Sequence, residues 1–287
     1  MSVASEGRRS GSAWLDLLET LRCPGCSGTL GEGEASLRCA ACRQEYPIRD
    51  GILIVGDRTS NNNQVAQEFY DSALWPKFRF WEKVTWLCNG GERRARGQVL
   101  RHLPQGRGLR ILDVAIGDGV YLPWLPADWH LIGIDVSWSQ LAACRSRAAA
   151  RGAALIQGEA ETLPFHEGRF DAVLSIGAFN YFNDPEAALR EMVRVSRPGG
   201  MIVISDELPN LTERMLGHKL GAPAVDRWIV SRVMHLGDRF TDMVERLRGL
   251  DVIAIARRVI PDMEYHEIWR GLGYVLVGRA PASRPRP

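Results

Sequence analysis

A chain of 287 residues, 45% apolar and 24% charged, is long enough for one large domain with a small appendage and has the composition of an ordinary soluble protein. Its net charge of +2 is too small to mark a nucleic-acid binder by itself, and of its 36 basic residues only Lys77, Lys83 and Lys219 are lysine. No run approaches the ~18 apolar residues of a membrane span, and the amino terminus lacks the apolar core of an export signal, so a cytoplasmic location is expected.

Residues 1–12 are rich in Ser, Gly and Arg and read as loose; "AWLDLLETL" follows as a short amphipathic helix. Two knuckles come next, "CPGC" (Cys23, Cys26) and "CAAC" (Cys39, Cys42), spaced C-x2-C-x12-C-x2-C. Four thiolates in this spacing suit a tetrahedral, structural Zn2+ with no open position for chemistry. Disulfides are disfavoured in a reducing compartment, and so small a unit needs the folding energy that a metal supplies. "LRCAACRQEYPIRDGILIV" reads as a strand, a knuckle and a second strand, and polar "GDRTSNNNQ" as a linker near 56–64. An aromatic stretch at 65–87 and the helix "ERRARGQVLRHL" precede residue 109.

From there apolar strands alternate with helices: "LRILDVAI", "HLIGIDVS", "ALIQGEA", "FDAVLSIGAF" and "GGMIVISDE", then "LDVIAIARRVI" and "GYVLVGRA" as closing strands. The expectation is an α/β fold, a Rossmann-like seven-stranded sheet with helices on both faces. The predicted divisions are a helix and zinc ribbon at 1–57, aromatic-rich lid helices at 58–108, the α/β core at 109–280 with a helical insertion at 208–249, and a disordered tail at 281–287.

The turn after the first core strand, "ILDVAIGDG", decides the ligand class. It has no G-K-[ST] of a phosphate loop, and Gly117 and Gly119 begin a dinucleotide fingerprint whose third glycine is replaced by Leu122. Asp113 and Asp118 put negative charge where pyrophosphate would lie, which favours a neutral or cationic ligand. Asp135, ending the second strand, is placed to accept hydrogen bonds from two ribose hydroxyls, and Glu159 with Ala160 to read an adenine edge. Adenosine without phosphate beside a loop tolerant of positive charge describes S-adenosylmethionine.

These motifs, with "ALREMVRVSRPGGMIVISDE", resemble the class I SAM-dependent methyltransferases, in the branch that includes the ubiquinone/menaquinone-biosynthesis enzymes. The resemblance implies a cofactor set of Asp113, Ala115, Gly117, Gly119, Asp135, Val136, Glu159, Ala160 and Ser175. Ala115 stands where the family often has Gly, and Asn180 where many relatives carry His. The "LRCPGCSGTL…LRCAACRQEYPIRDGI" unit resembles the small zinc-ribbon proteins that activate tRNA, rRNA and protein methyltransferases.

Tyr70 is expected either to close over the methionine end of the cofactor, since an aromatic face attracts a sulfonium, or to be a core residue of a lid helix. Candidate bases are Tyr181, Asp206, Glu207 and His235; a strand-end acid can equally cap a turn, and a lone His can sit in core or surface. Cys88 and Cys144 read as core or surface thiols. The arginines of "ERRARG" and "RSRAAAR" read as solvated helix faces. The expected reaction moves a methyl group to a small-molecule acceptor, quinone-like or a secondary metabolite, roofed by 65–87 and 208–249. The alternatives are an RNA methyltransferase that docks RNA on the ribbon, and a non-catalytic SAM-binding scaffold.

Overall fold

The computed structural model describes residues 17–282 except 57, 58, 215 and 230–236. His235, the first four residues of the expected first helix and most of the tail therefore lie outside the described residues; the rest of that segment, 17–21, is a turn and a bridge, not a helix.

Three short strands, β1 (Leu30–Glu32), β2 (Ser36–Cys39) and β3 (Glu45–Arg49), form an antiparallel meander. The single strand expected after the second knuckle is folded in two by Asp50-Gly51, whose φ angles of +50° and +77° make the tight turn that this dipeptide favours. The strand beyond it, β4 (Ile52–Ile54), leaves the ribbon and pairs in parallel with β7 (Ala154–Gln157), Leu53 opposite Ile156. Ribbon and core thus share one sheet.

The core strands are β5 (Arg110–Val114), β6 (His130–Asp135), β7, β8 (Phe170–Ile176), β9 (Ser196–Glu207), β10 (Glu264–Ile268) and β11 (Gly273–Arg279). The sheet order is β1-β2-β3-β4-β7-β6-β5-β8-β9-β11-β10, with β11 antiparallel to both neighbours. Order reverses at β5, so the carboxyl ends of β5 and its neighbours frame the ligand crevice of an open α/β sheet. Helices cover both faces: α1 (Asn61–Tyr70), α2 (Trp75–Cys88), α3 (Glu92–Leu100), α4 (Trp138–Ala150), α5 (Pro185–Val195), α6 (Leu216–Lys219), α7 (Pro223–Trp228), α8 (Asp238–Leu247) and α9 (Val252–Val259). The last five contain the helical parts of the expected insertion, α6 to α8.

Two expectations fail here. "LDVIAIARRVI" is the helix α9 and not a strand; Asp251 caps it by accepting the Ala254 N–H, and Val252, Ile255 and Ala256 fall on one buried face. The seventh core strand is β10. The expected linker at 56–64 ends early, because Asn61 to Gln64 form the first turn of α1 and Asn63 is buried.

One apolar layer runs without a break from ribbon residues Leu21, Leu37 and Tyr46 through Phe165 and Phe170 to Met192 and Ile204. Leu21 also bridges to Phe165, and the Arg22 N–H donates to the Pro164 carbonyl at 3.0 Å. The ribbon is part of the hydrophobic core, not a pendant unit.

Candidate cofactor site and metal centre

After β5 the backbone turns through Ala115 (φ +62°), Gly117 (φ +57°) and Gly119 (φ +73°), with only Ala115 bearing the steric cost of a Cβ there. The turn is tied to β6: the Ala115 N–H donates to the Ile134 carbonyl at 2.7 Å and the Gly117 N–H to Asp135 Oδ2 at 2.8 Å. Asp135 Oδ1 accepts the Ser137 N–H at 2.9 Å, so the carboxylate is oriented before any ligand arrives. At Gly119 a Cβ would stand 2.4 Å from Cys144 Sγ and 2.9 Å from Leu122 Cδ1. Gly119→Ala is expected to lower stability by about 1–3 kcal/mol, read as a lower urea midpoint at unchanged slope; an unchanged midpoint would show that the loop is slack.

Asp113 and Asp135 are both buried here. Burial first, then the charge of Asp135, lifts the Asp113 carboxyl to about 7. Burial likewise lifts Asp135 to about 6, against the pull of the Ser137 and Gly117 N–H groups. The third acid differs from the sequence-based expectation: Asp118 is flanked by Arg79 and Arg147, each at 3.7 Å, so its charge is offset and the loop's preference against anions rests on the buried pair. Arg147 also donates to the Asp118 carbonyl at 2.6 Å, and Arg151 to those of Leu125 and Pro126. These arginines staple the loop instead of forming a solvated face. Arg96 departs further, 1% exposed and stacked between the rings of Trp86 and Tyr121.

Residues that the sequence-based reading passed over hold the roof down. Asn63, Gln67 and Asp71 recur every four residues along α1, and each meets the cradle. Asn63 Nδ2 donates to Glu159 Oε1 and Glu161 Oε2, both at 3.1 Å; Gln67 Nε2 donates to the Val136 carbonyl at 3.1 Å; Asp71 Oδ1 accepts the Ser137 hydroxyl at 2.5 Å. The signal was present as a polar stripe inside "NNNQVAQEFYD". The Tyr70 carbonyl accepts from Gln140 Nε2 at 3.3 Å, while its partly buried ring packs edge-on against Phe69 and Trp75. Ala160 and Ser175 are buried at the ends of β7 and β8. Ser175 Oγ and Gln140 Oε1 are buried without a hydrogen-bond partner, and the latter lies 3.9 Å from a Cβ built on Gly117. A cradle with oriented carboxylates, glycine at the close approach and unmet polar atoms fits a neutral-to-cationic nucleoside ligand.

Beyond the cradle an apolar cluster of Val65, Phe69, Phe240 and Met243 is joined by Tyr181, with Phe69 and Phe240 stacked at 4.1 Å. It brings together the two segments expected to roof the acceptor. Burial, then Glu207 and Asp206, pushes the Tyr181 phenol well above its usual value. Asp206 is fully buried; its Oδ2 accepts the Asn180 N–H and its Oδ1 the Glu207 N–H, each at 2.9 Å. Asn180 in turn donates to the Glu207 carbonyl and accepts the Tyr274 hydroxyl at 2.9 Å, so it braces the strand ends. Among the described candidate bases Tyr181 and Glu207 are both partly exposed, Glu207 at the end of β9.

At the other edge of the sheet the four cysteines converge, their sulfurs all within 4.8 Å of one another. Cys26 and Cys39 are 3.4 Å apart and Cys23 and Cys42 3.7 Å, near the about 3.8 Å that four 2.3 Å Zn–S bonds at tetrahedral angles require. The Tyr46 hydroxyl sits 3.0 Å from Cys23 Sγ, and a Cβ at Gly28 would press within 2.9 Å of Cys39 Sγ, so the knuckle is shaped around the sulfurs. The donor set fits a zinc ion. Of the spare thiols, Cys144 is core, its pKa raised by burial to about 12; the Cys88 side chain lies outside the described residues.

Residues 112–204 match the methyltransferase domain family, and residues 15–51 the Trm112p-like protein family. The demethylmenaquinone methyltransferase of Renibacterium salmoninarum is 36% identical over 146 residues, which is 50% of this chain and 59% of that protein. The phthiotriol/phenolphthiotriol dimycocerosates methyltransferase of Mycobacterium leprae is 30% identical over 174 residues, 60% of this chain and 61% of the relative. The chain therefore spans about three fifths of these curated relatives. A SAM-dependent methyltransferase of Thermotoga maritima shares the fold, with a TM-score of 0.52 at 16% identity over 77% of this chain and 100% of that one.

Proposed function

We propose that this chain, a class I methyltransferase domain built into one sheet with a Trm112p-like ribbon, moves a methyl group from S-adenosylmethionine to an apolar small-molecule acceptor. The observation that carries the reading is the apolar cluster of Phe69, Phe240 and Met243, joined by Tyr181, which neighbours Glu207 and Asp206 at the end of β9. A flat, greasy acceptor suits such walls, and the two curated relatives are named for a quinone and a lipid.

When bound, the cofactor supplies a methyl group already activated by its sulfonium. Asp135 would hold the ribose, Glu159 and the Ala160 backbone the adenine, and Asp113 with the turn at Gly117 the methionine end. The Asn63–Gln67–Asp71 stripe closes α1 over the cradle and excludes water, leaving positioning as the main catalytic contribution. Where the acceptor carries a proton, Glu207 is the carboxylate placed to take it; Tyr181 is held as the phenol, and both oxygens of Asp206 are committed to backbone N–H groups. The zinc would hold the ribbon's shape and take no part in the chemistry. A set of free thiolates of this kind persists in reducing surroundings, which supports a cytoplasmic location.

The test is transfer of radiolabelled methyl by the purified, zinc-loaded chain, offered an organic-soluble extract of the source organism and total RNA separately. Label in the organic-soluble fraction, lost in Phe240→Ala, is expected. Nuclease-sensitive label would overturn the acceptor class, and absence of label with cofactor binding intact would make the chain a scaffold.

A further inference from the structure

A cavity of about 350 Å3 opens between α3 and the turn joining β10 to β11, lined by Asn89, Gly90, Arg94, Gln98, Arg101 and Arg270. It lies at the β10 edge of the sheet, opposite the ribbon at the β1 edge, and shares no residue with the cradle. Three arginines line it, all with exposed side chains, and among the described residues no acid does. Other guanidiniums near it are met by an acid, as Arg214 is by Glu267 and Arg96 by Glu92. Among the described residues Arg94, Arg101 and Arg270 have no carboxylate within ion-pairing distance.

The backbone is set up to present this charge. Trp269 (φ +51°), Arg270 (φ +58°) and Gly271 (φ +82°) are consecutive left-handed residues, two of them carrying a Cβ. The turn is bolted down despite that cost. The Trp269 N–H donates to Gln98 Oε1 at 2.9 Å, its indole N–H to the Ala95 carbonyl at 3.1 Å, and Arg214 reaches the Gly271 carbonyl at 3.2 Å. With its oxygen so engaged, Gln98 has its amide NH2 left as a donor. At the cavity's far end the Arg101 Nε–H donates to His102 Nε2 at 3.2 Å. His102 is held below the usual histidine value first by burial, then by neighbouring His266 and Arg101, against the pull of Glu264.

We propose that this cavity binds the phosphate or pyrophosphate group of a small ligand, gripped by Arg94, Arg101 and Arg270. Guanidiniums converging from two elements match the several oxygens of such a group, which a point charge cannot do. The volume falls in the ~300–1,000 Å3 range of small-molecule sites, and a concave pocket differs from the open track along which a polynucleotide lays successive phosphates. The site is independent of the acceptor proposed above. It sits where Asn89 and Gly90 join the roof helix α2 to α3, so its occupant would brace that junction.

Calorimetric titration of the full-length, zinc-loaded chain with pyrophosphate tests this, with sodium chloride at matched ionic strength as the blank. Saturable binding is expected, weakened at least tenfold in Arg94→Gln and in Arg270→Gly. The second substitution separates binding from folding. Glycine relieves the left-handed strain, so Arg270→Gly is expected to melt at or above the wild-type temperature while losing the ligand. Absence of saturable heat, or wild-type affinity in both variants, overturns the site. A short RNA that binds more tightly than pyrophosphate, and loses that affinity in the same variants, overturns the small-ligand class.

Discussion

Cys39→Ser is expected to be the most damaging single substitution outside the sheet interior. The wild-type chain should hold one zinc per molecule by elemental analysis, and the variant none. Structural zinc in small modules contributes ~10–16 kcal/mol of apparent binding energy at neutral pH, more than the whole stability of an ordinary domain. The loss does not stop at the ribbon. β3 leads through a tight turn to β4, and β4 covers the edge of β7: the Val55 N–H bonds to the Gln157 carbonyl at 2.9 Å, and a Cβ at Gly158 would lie 2.7 Å from Val55. Gln157 and Glu159 follow directly into the cradle. Chelation or Cys39→Ser is therefore expected to raise hydrogen exchange at Leu155 and Gln157, to drop the melting temperature by ten degrees or more, and to weaken binding of the proposed cofactor. A variant that melts with the wild type while lacking metal would show that the ribbon folds without it.

Asp113→Asn is expected to change the pH dependence of stability. The folded carboxyl titrates at about 7 against an ordinary 3.8, so ionising it weakens the folded state. Its contribution is intact below about pH 4 and is lost as pH rises from there to about 7. At 1.36 kcal/mol per unit this is of order 4 kcal/mol at pH 8 for a side chain 5% exposed. Asparagine cannot ionise, so the variant should equal the wild type at pH 4 and melt several degrees higher at pH 8. It should also bind S-adenosylmethionine at least tenfold more weakly, because the charge proposed to face the cationic cofactor is gone. Parallel stability curves for the two proteins across pH 4–8 would remove Asp113 as the cause.

Those effects depend on features of different legibility. The cysteine spacing, the alternation of apolar strands with helices and the turn from Asp113 to Gly119 are local patterns, each set by residues near in sequence, and all could be read from the chain. The pairing of β4 with β7 joins residues about a hundred positions apart, and nothing in "GILIV" names its partner. "LDVIAIARRVI" misled because β-branched residues also fit the buried stripe of a short helix once Asp251 caps it. Asn63 looked like linker because its burial is justified only by Glu159 and Glu161, carboxylates on a distant loop. Charge on Asp118 was visible; its neutralisation by Arg79 and Arg147 required the fold.

The shared sheet also sets an order of events during synthesis. The ribbon's first three strands pair with one another and with the adjoining β4, and can close around metal as soon as they leave the ribosome. β4 cannot finish then, because Ile156 is made about a hundred residues after Leu53, a wait of roughly 5–20 s at ordinary elongation rates. Through that interval Ile52, Leu53 and Ile54, paired with β3 on one side, form an apolar strand whose other edge is open. Yield in growing cells is then governed by how quickly metal closes the ribbon and by what shields that strand, and slowing translation between codons 55 and 155 should send more of the protein into aggregates.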